Sequence, residues 1–124
     1  MDGADGPPIR WKLWYLTAII EVIIIWFVIR SFRNRGSEDI FDGADTAAGR
    51  RVCPRSVWAV AQRKLDQLNR VRNLLDLAIP PGNRLERLRG DRQGQHSIRI
   101  NDQFRISFYW KAGDAYEVEI TDYH

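Results

Sequence analysis

The chain has 124 residues, enough for one compact domain and too few for two sizeable cores. With 44% hydrophobic and 28% charged residues it is neither a disordered nor a collagen-like chain. Nineteen Lys+Arg against sixteen Asp+Glu leave +3, an excess that fits phosphate contacts without requiring them. Cys53 is the single cysteine and cannot close an internal disulfide, and no Cys/His spacing resembles a metal site. A small reducing-compartment domain with no metal or cofactor is expected.

The first segment stands apart from the rest. Leu13 to Ile29 is an apolar run interrupted by one charge, Glu21. A membrane helix needs roughly 20 such residues. Glu21 at the bilayer centre would cost about 2–3 kcal/mol, against a few tenths returned by each Ile or Leu, so insertion is close to balance. Residues 13–29 are therefore a candidate single-pass anchor. Arg30, Arg33 and Arg35 outweigh Arg10 and Lys12, which would leave the C-terminal portion in the cytoplasm. RSFRNR stands next in place of a small-residue cleavage site, which argues against a cleaved signal peptide.

From Val28 the pattern changes. VIRSF (28–32) alternates apolar and polar residues, as a half-buried strand does. Gly36, Gly43 and Gly49 divide the next stretch into short pieces: SEDIF suits a turn of helix, and 42–51 reads as loop. Val57, Ala61, Leu65, Leu68, Val71 and Leu75 then recur at three- and four-residue steps. That spacing predicts a helix of about five turns from Pro54, with Arg55, Arg63, Lys64, Arg70 and Arg72 on its other faces. Pro80-Pro81-Gly82 must end it by Ile79.

Beyond the prolines the period is two. GQHSIRIN sets His96, Ile98 and Ile100 against Gln95, Ser97 and Arg99. QFRISFYW sets Phe104, Ile106, Phe108 and Trp110 against Gln103, Arg105, Ser107 and Tyr109. AYEVEITDYH places Tyr116, Val118 and Ile120 on one side. Turns at Asn101-Asp102 and at Gly113 make this an antiparallel meander, joined by NRLERL and by VIRSF. The expected class is α+β: an antiparallel sheet packed on one long and one short helix.

Six arginines lie between 84 and 105: Arg84, Arg87, Arg89, Arg92, Arg99 and Arg105. The planar guanidinium fork suits phosphate. Arg99 and Arg105 share a parity on adjacent strands and can share a face, and Arg89 and Arg92 bracket a GDRQG turn that could project toward it. A solvated face with salt bridges to Glu117 and Glu119 is the plainer alternative. The chain ends Asp122-Tyr123-His124 directly after a strand whose neighbours carry these arginines. Imidazole, phenol, carboxylate and guanidinium groups together suffice for RNA cleavage. That reaction needs a base for the 2′-hydroxyl, an acid for the leaving oxygen and cations for the phosphorane charge. His96, on the apolar parity, reads as a core or sheet-edge histidine.

IRSF, PPGNRLERLRGDRQGQHSIRIND, FRISF and VEITDYH occur in an order that resembles the HigB branch of the RelE/ParE toxins, from Val28 to His124. The resemblance implies a type II toxin with the small RelE/ParE-like fold, held inactive by a helix-turn-helix, HigA-like antitoxin and cutting mRNA in the ribosomal A site. It implies that Arg105 binds phosphate and that Arg92 steadies its turn or contacts RNA, with Arg84, Arg89 and Arg99 completing the RNA-binding set. It further implies that His124 transfers protons, Tyr123 stacks on or hydrogen-bonds a base, and Asp122 orients. Where well-studied members carry His and Lys before the GDR turn, this chain has Glu86 and Arg89, which predicts a slower nuclease.

Family members begin with Met where this chain has Val28. Residues 1–27 carry −1, leaving +4 on 28–124. The reading adopted is a mis-assigned upstream extension ahead of a cytoplasmic toxin domain at 28–124. An inner-membrane anchor or an extended buried strand are the alternatives. A non-enzymatic ParE-like toxin acting on a protein such as gyrase, or a tethered inactive relative, are the competing functional readings.

Overall fold

The structure is a computed structural model that describes residues 27–123. His124 and residues 1–26, with most of the apolar run, lie outside the described residues. Among the described residues no helix is long and apolar enough to cross a membrane.

Helix α1 (Arg35–Asp42) opens where the Asn34 side chain accepts the Ser37 N–H at 2.8 Å, and it stops at Gly43, whose φ of 78° only glycine adopts cheaply. Helix α2 (Ala47–Val52) occupies the second half of the stretch expected to be loop. The Thr46 hydroxyl accepts the Gly49 N–H at 3.0 Å and donates to Asp39 at 2.7 Å, which caps α2 and ties it to α1. Of the three glycines expected as breaks, Gly36 and Gly49 sit inside helices. A Cβ on Gly36 would overlap Val52 Cγ2 and lie 2.5 Å from the Ala48 carbonyl oxygen, so its bare backbone is what lets α1 and α2 approach.

Helix α3 (Arg55–Leu68) presents Trp58, Ala61, Leu65 and Leu68 to the core. It is shorter than its apolar stripe predicts. Asn69 ends it, because its side-chain oxygen accepts the N–H groups of Val28 and Ile29 at 3.1 and 2.9 Å and its carbonyl accepts Val28 N–H at 3.0 Å. Leu75, assigned by periodicity to the stripe, is 76% exposed on a 3₁₀ turn (Leu74–Ala78), and Leu77 is buried in its place. Asn69→Ala would orphan the Ile29 N–H and leave the Val28 N–H on the residue-69 carbonyl alone. The expected cost is about 1–3 kcal/mol, read as a lower urea midpoint with an unchanged m-value.

Strands β1 (Glu86–Arg87), β2 (Gln95–Arg99), β3 (Phe104–Lys111) and β4 (Asp114–Asp122) form one antiparallel sheet in that order. The Asn101 side chain accepts the Gln103 and Phe104 N–H groups to turn β2 into β3. Ala112 and Gly113, both at positive φ, turn β3 into β4. β4 carries a bulge: Ser107 faces Glu119 but Tyr109 faces Tyr116, and Glu117 takes a φ of 50°. The alternation expected along β4 therefore breaks, and Ala115 and Val118, not Tyr116 and Val118, point to the core.

Residues 28–32 run parallel to β4 through bridges Ile29–Ala115 and Phe32–Val118, where a complete strand was expected. The bulge lies between these bridges, and there the Ser31 hydroxyl accepts the Glu117 N–H at 2.9 Å. Val28 and Ile29 are thus committed to the folded domain. The helices cover one sheet face, where Ile98, Ile100, Phe104, Ile106, Phe108, Val118 and Ile120 meet Ile40, Trp58, Leu65 and Leu68. Cys53 is buried in the same core, and burial pushes its thiol up to about 11, which leaves it unreactive. The described residues are α+β as expected, with three α-helices among them where one long and one short were predicted.

Candidate active site

The sheet face away from the helices carries the alternate residues of β2–β4: Gln95, Ser97, Arg105, Ser107 and Thr121. These five are buried, so the face is not fully solvated, although Arg92 does make the salt bridge to Glu119 that the plainer sequence reading expected. Arg99 and Arg105 are direct register partners. The guanidinium of Arg105 lies within the sheet surface, its side chain 9% exposed. Nε donates to Ser97 Oγ at 2.8 Å, and Nη2 donates to the carbonyl oxygens of Arg84 at 2.6 Å and Ser97 at 3.3 Å. Nη1 has no hydrogen-bond partner among the described residues. Arg84 presents its carbonyl from a left-handed backbone, φ 45°, directly after Asn83. Asn83 is itself fully buried and holds the Leu77 and Ile79 carbonyls. The loop after the prolines thus positions a strand arginine.

Above Arg105 opens a cleft of about 290 Å³, lined by Arg84, Glu86, Arg99, Asn101, Asp102, Arg105 and Tyr123. The Tyr123 ring covers the Arg105 guanidinium at 5.5 Å, a cation–π contact, while remaining 48% exposed. The Tyr123 N–H bonds the Gln103 carbonyl at 2.7 Å, which extends the pairing beyond β4 and fixes where the ring emerges. Arg99 donates to Asp102 across the β2–β3 turn. Glu86 Oε1 stands 3.9 Å from Arg105 Nη2, the anion nearest the guanidinium among the described residues.

Four of the eight residues predicted from sequence, Arg84, Arg99, Arg105 and Tyr123, are brought together here. The others are placed differently. Arg92 reaches the same sheet face farther along, where it donates to Gln95, Ser107 and Glu119 at 3.1–3.4 Å. Arg89 is exposed where the Gly90–Arg92 turn begins, and neither lines the cleft. Asp122 pairs with Phe104, so alternation turns it to the opposite face, where Gln103 donates to it at 3.0 Å. His124 lies outside the described residues.

Lys64 was assigned to an outer face of the helix and is buried instead, its ammonium donating to the Arg99 carbonyl. Burial, with the charges of Arg63, Arg99 and Arg105, holds that ammonium below the usual lysine range. Its spacing, three after Ala61 and four before Leu68, was the available signal. Among the described residues no three His, Cys, Asp or Glu side chains converge to hold a metal.

His96 stacks on Phe108 at 6.2 Å, on the core face as its parity suggested. Its Nδ1 is buried with no partner among the described residues. Burial, then the Arg87 charge, pushes the imidazole below its usual value of 6.5. A depressed folded value means that the neutral ring favours the fold. The contribution is complete above about pH 6.5 and is lost as pH falls through the folded value. Melting temperature should therefore drop on acidification below pH 6.5, and His96→Gln should flatten that part of the profile.

A buried, pre-set arginine beside a second arginine and an exposed phenol has the chemical groups to hold a phosphodiester with a base next to it. The family model for the RelE-like toxin of type II toxin–antitoxin system HigB matches residues 30–124. The chain belongs to this family of HigB-like toxins. Toxin HigB-1 of Vibrio cholerae is 45% identical over 65 residues, covering 52% of this chain and 68% of that protein. Endoribonuclease HigB of Proteus vulgaris is 29% identical over 103 residues, covering 78% of this chain and all of that protein. An uncharacterised Haemophilus influenzae protein is 36% identical over 62 residues, half of this chain and 61% of its own length. As a HigB-like toxin, the chain is the toxin half of a type II system, and such a system includes an antitoxin.

Proposed function

We propose that this HigB-like toxin is an endoribonuclease that cuts mRNA on the ribosome, with residues 28–124 as its working unit. Its site is the cleft of Arg84, Arg99, Arg105 and Tyr123 together with the chain's last residues. The observation that carries this reading is Arg105: buried, oriented by Ser97 and the Arg84 carbonyl, and open to a cleft in which two further arginines stand. Arg105 and Arg99 hold the scissile phosphate and stabilise the charge that builds on its oxygens during transfer. Tyr123 stacks on the adjoining base. His124 moves the proton between the reacting oxygens, and Asp122 orients the terminal segment from the far side of the sheet.

In such a cut the 2′-oxygen forms a bond to phosphorus, losing its proton to a base. The bond to the 5′-oxygen breaks as that oxygen gains a proton. Arg89 and Arg92 serve as outlying contacts to RNA, with Arg92 also bracing the sheet through Glu119. Glu86 places an anion beside the phosphate and slows the reaction. A HigA-like helix-turn-helix antitoxin restrains the toxin in the cytoplasm.

Induction of the chain carrying His124→Gln with Arg105→Ala tests this. Abolished growth arrest, with the protein still accumulating, is the expected outcome. Unchanged arrest would overturn it and favour a toxin that acts by binding alone.

A further inference from the structure

Lys64 is in an unfavourable place for a lysine. It is 8% exposed, and its one hydrogen bond is to a neutral acceptor, the Arg99 carbonyl. Among the described residues no carboxylate pairs with it. The nearest charges acting on it are cationic: Arg63 on its own helix, and Arg99 and Arg105 across on the sheet. A buried cation normally requires a counter-ion, and an apolar side chain of equal length would satisfy this corner of the core at lower cost. Arg99 and Arg105 also line the cleft, where Glu86 and Asp102 are the only carboxylates among the described residues and both are largely solvent-exposed, which weakens them as counter-charges.

We propose that Lys64 is an electrostatic positioning residue of the cleft. Seated beneath Arg99 on its carbonyl, it forms with Arg99 and Arg105 a three-cation cluster whose counter-charge is the phosphodiester of bound RNA. The proposal rests on the reading of the cleft as a phosphate site. Lys64 does not touch the RNA. It fixes the end of β2 from which Arg99 projects and raises the potential at the phosphate through a part of the protein where salt screens poorly. The free protein gives up stability to keep a charge that becomes favourable only when an anion arrives.

The test uses the full chain and an uncleavable 2′-O-methyl oligonucleotide as probe, with affinity measured across a salt series and melting temperature measured without RNA. Lys64→Met should melt at or above the wild-type temperature and bind about tenfold more weakly. Its log–log salt slope should be smaller by about 0.7, the value for one phosphate-neutralising charge on a single strand. Lys64→Gln keeps a donor for the Arg99 carbonyl without the charge and should show the same losses, so it decides the matter if the Met variant does not fold. Lys64→Arg should recover the slope. Wild-type affinity and slope in the neutral variants would overturn the role of Lys64. Failure of the wild-type chain to bind the oligonucleotide at all would overturn the phosphate reading of the cleft and the proposal with it.

Discussion

Arg105→Lys is expected to lower RNA cleavage by about 10²–10³-fold while the protein still folds. The charge survives this change, but the fork does not. Nε and Nη2 of Arg105 are held by Ser97 Oγ, the Ser97 carbonyl and the Arg84 carbonyl, leaving Nη1 for a ligand. A lysine has a single point of attachment on a flexible stem and cannot satisfy that frame and also present a fixed donor to phosphate. The loss should fall on turnover more than on KM, because the geometry matters most where charge accumulates in the transition state. Single-turnover cleavage on programmed ribosomes would measure it. An equal loss from Arg105→Ala and Arg105→Lys would show that planarity, not charge alone, is what the site uses.

Phe108→Ala should be the most damaging single change to stability, costing about 3–5 kcal/mol. Phe108 is among the largest fully buried side chains, and its ring meets both His96 and Trp110. It lies at the centre of β3, with β2 on one side and β4 on the other, so no exposed edge can collapse into the space it would leave. For a domain of this size the loss corresponds to a melting temperature lower by at least about 12 °C. A fall of only a few degrees would mean that the helices repack over the sheet, and that the core is less tightly specified than its burial implies.

Much of this was legible in the residues, and the exceptions have identifiable causes. The period-two pattern placed β2, β3 and β4 and the Arg99–Arg105 pairing correctly, because strand parity is strict and adjacent hairpins are local. It failed before Glu117, at Tyr116, because one extra residue in β4 shifts the phase there, and a bulge leaves no signature in hydrophobicity. Helix α3 was overextended because Val71 and Leu75 continue its spacing, whereas its end is set by a long-range bond from Asn69 to Val28. Helix α2 was missed because AAGRRV has no apolar stripe, and its stability comes from the Thr46 cap and from packing at Gly36. At the site, the chemistry of Arg105 and Tyr123 could be read from their types and the family resemblance. The opposite orientation of Asp122 and the burial of Lys64 follow from tertiary packing.

Carboxylates order part of the arginine face in the free protein. Arg92 is tied to Glu119 and Arg99 to Asp102, which holds two guanidinium groups in place before any ligand arrives. Pre-ordering of this kind reduces the entropy lost on binding and favours a defined phosphate geometry over loose attraction to any polyanion.

Whether the toxin acts by cutting mRNA through this cleft is decided by mapping RNA 5′ ends during induction. Cells expressing the wild-type chain should accumulate new ends within translated messages, spaced by codons, while cells expressing Arg105→Ala at equal level should not. Growth arrest without new RNA ends, or the same ends from the Arg105→Ala chain, would refute cleavage at this site.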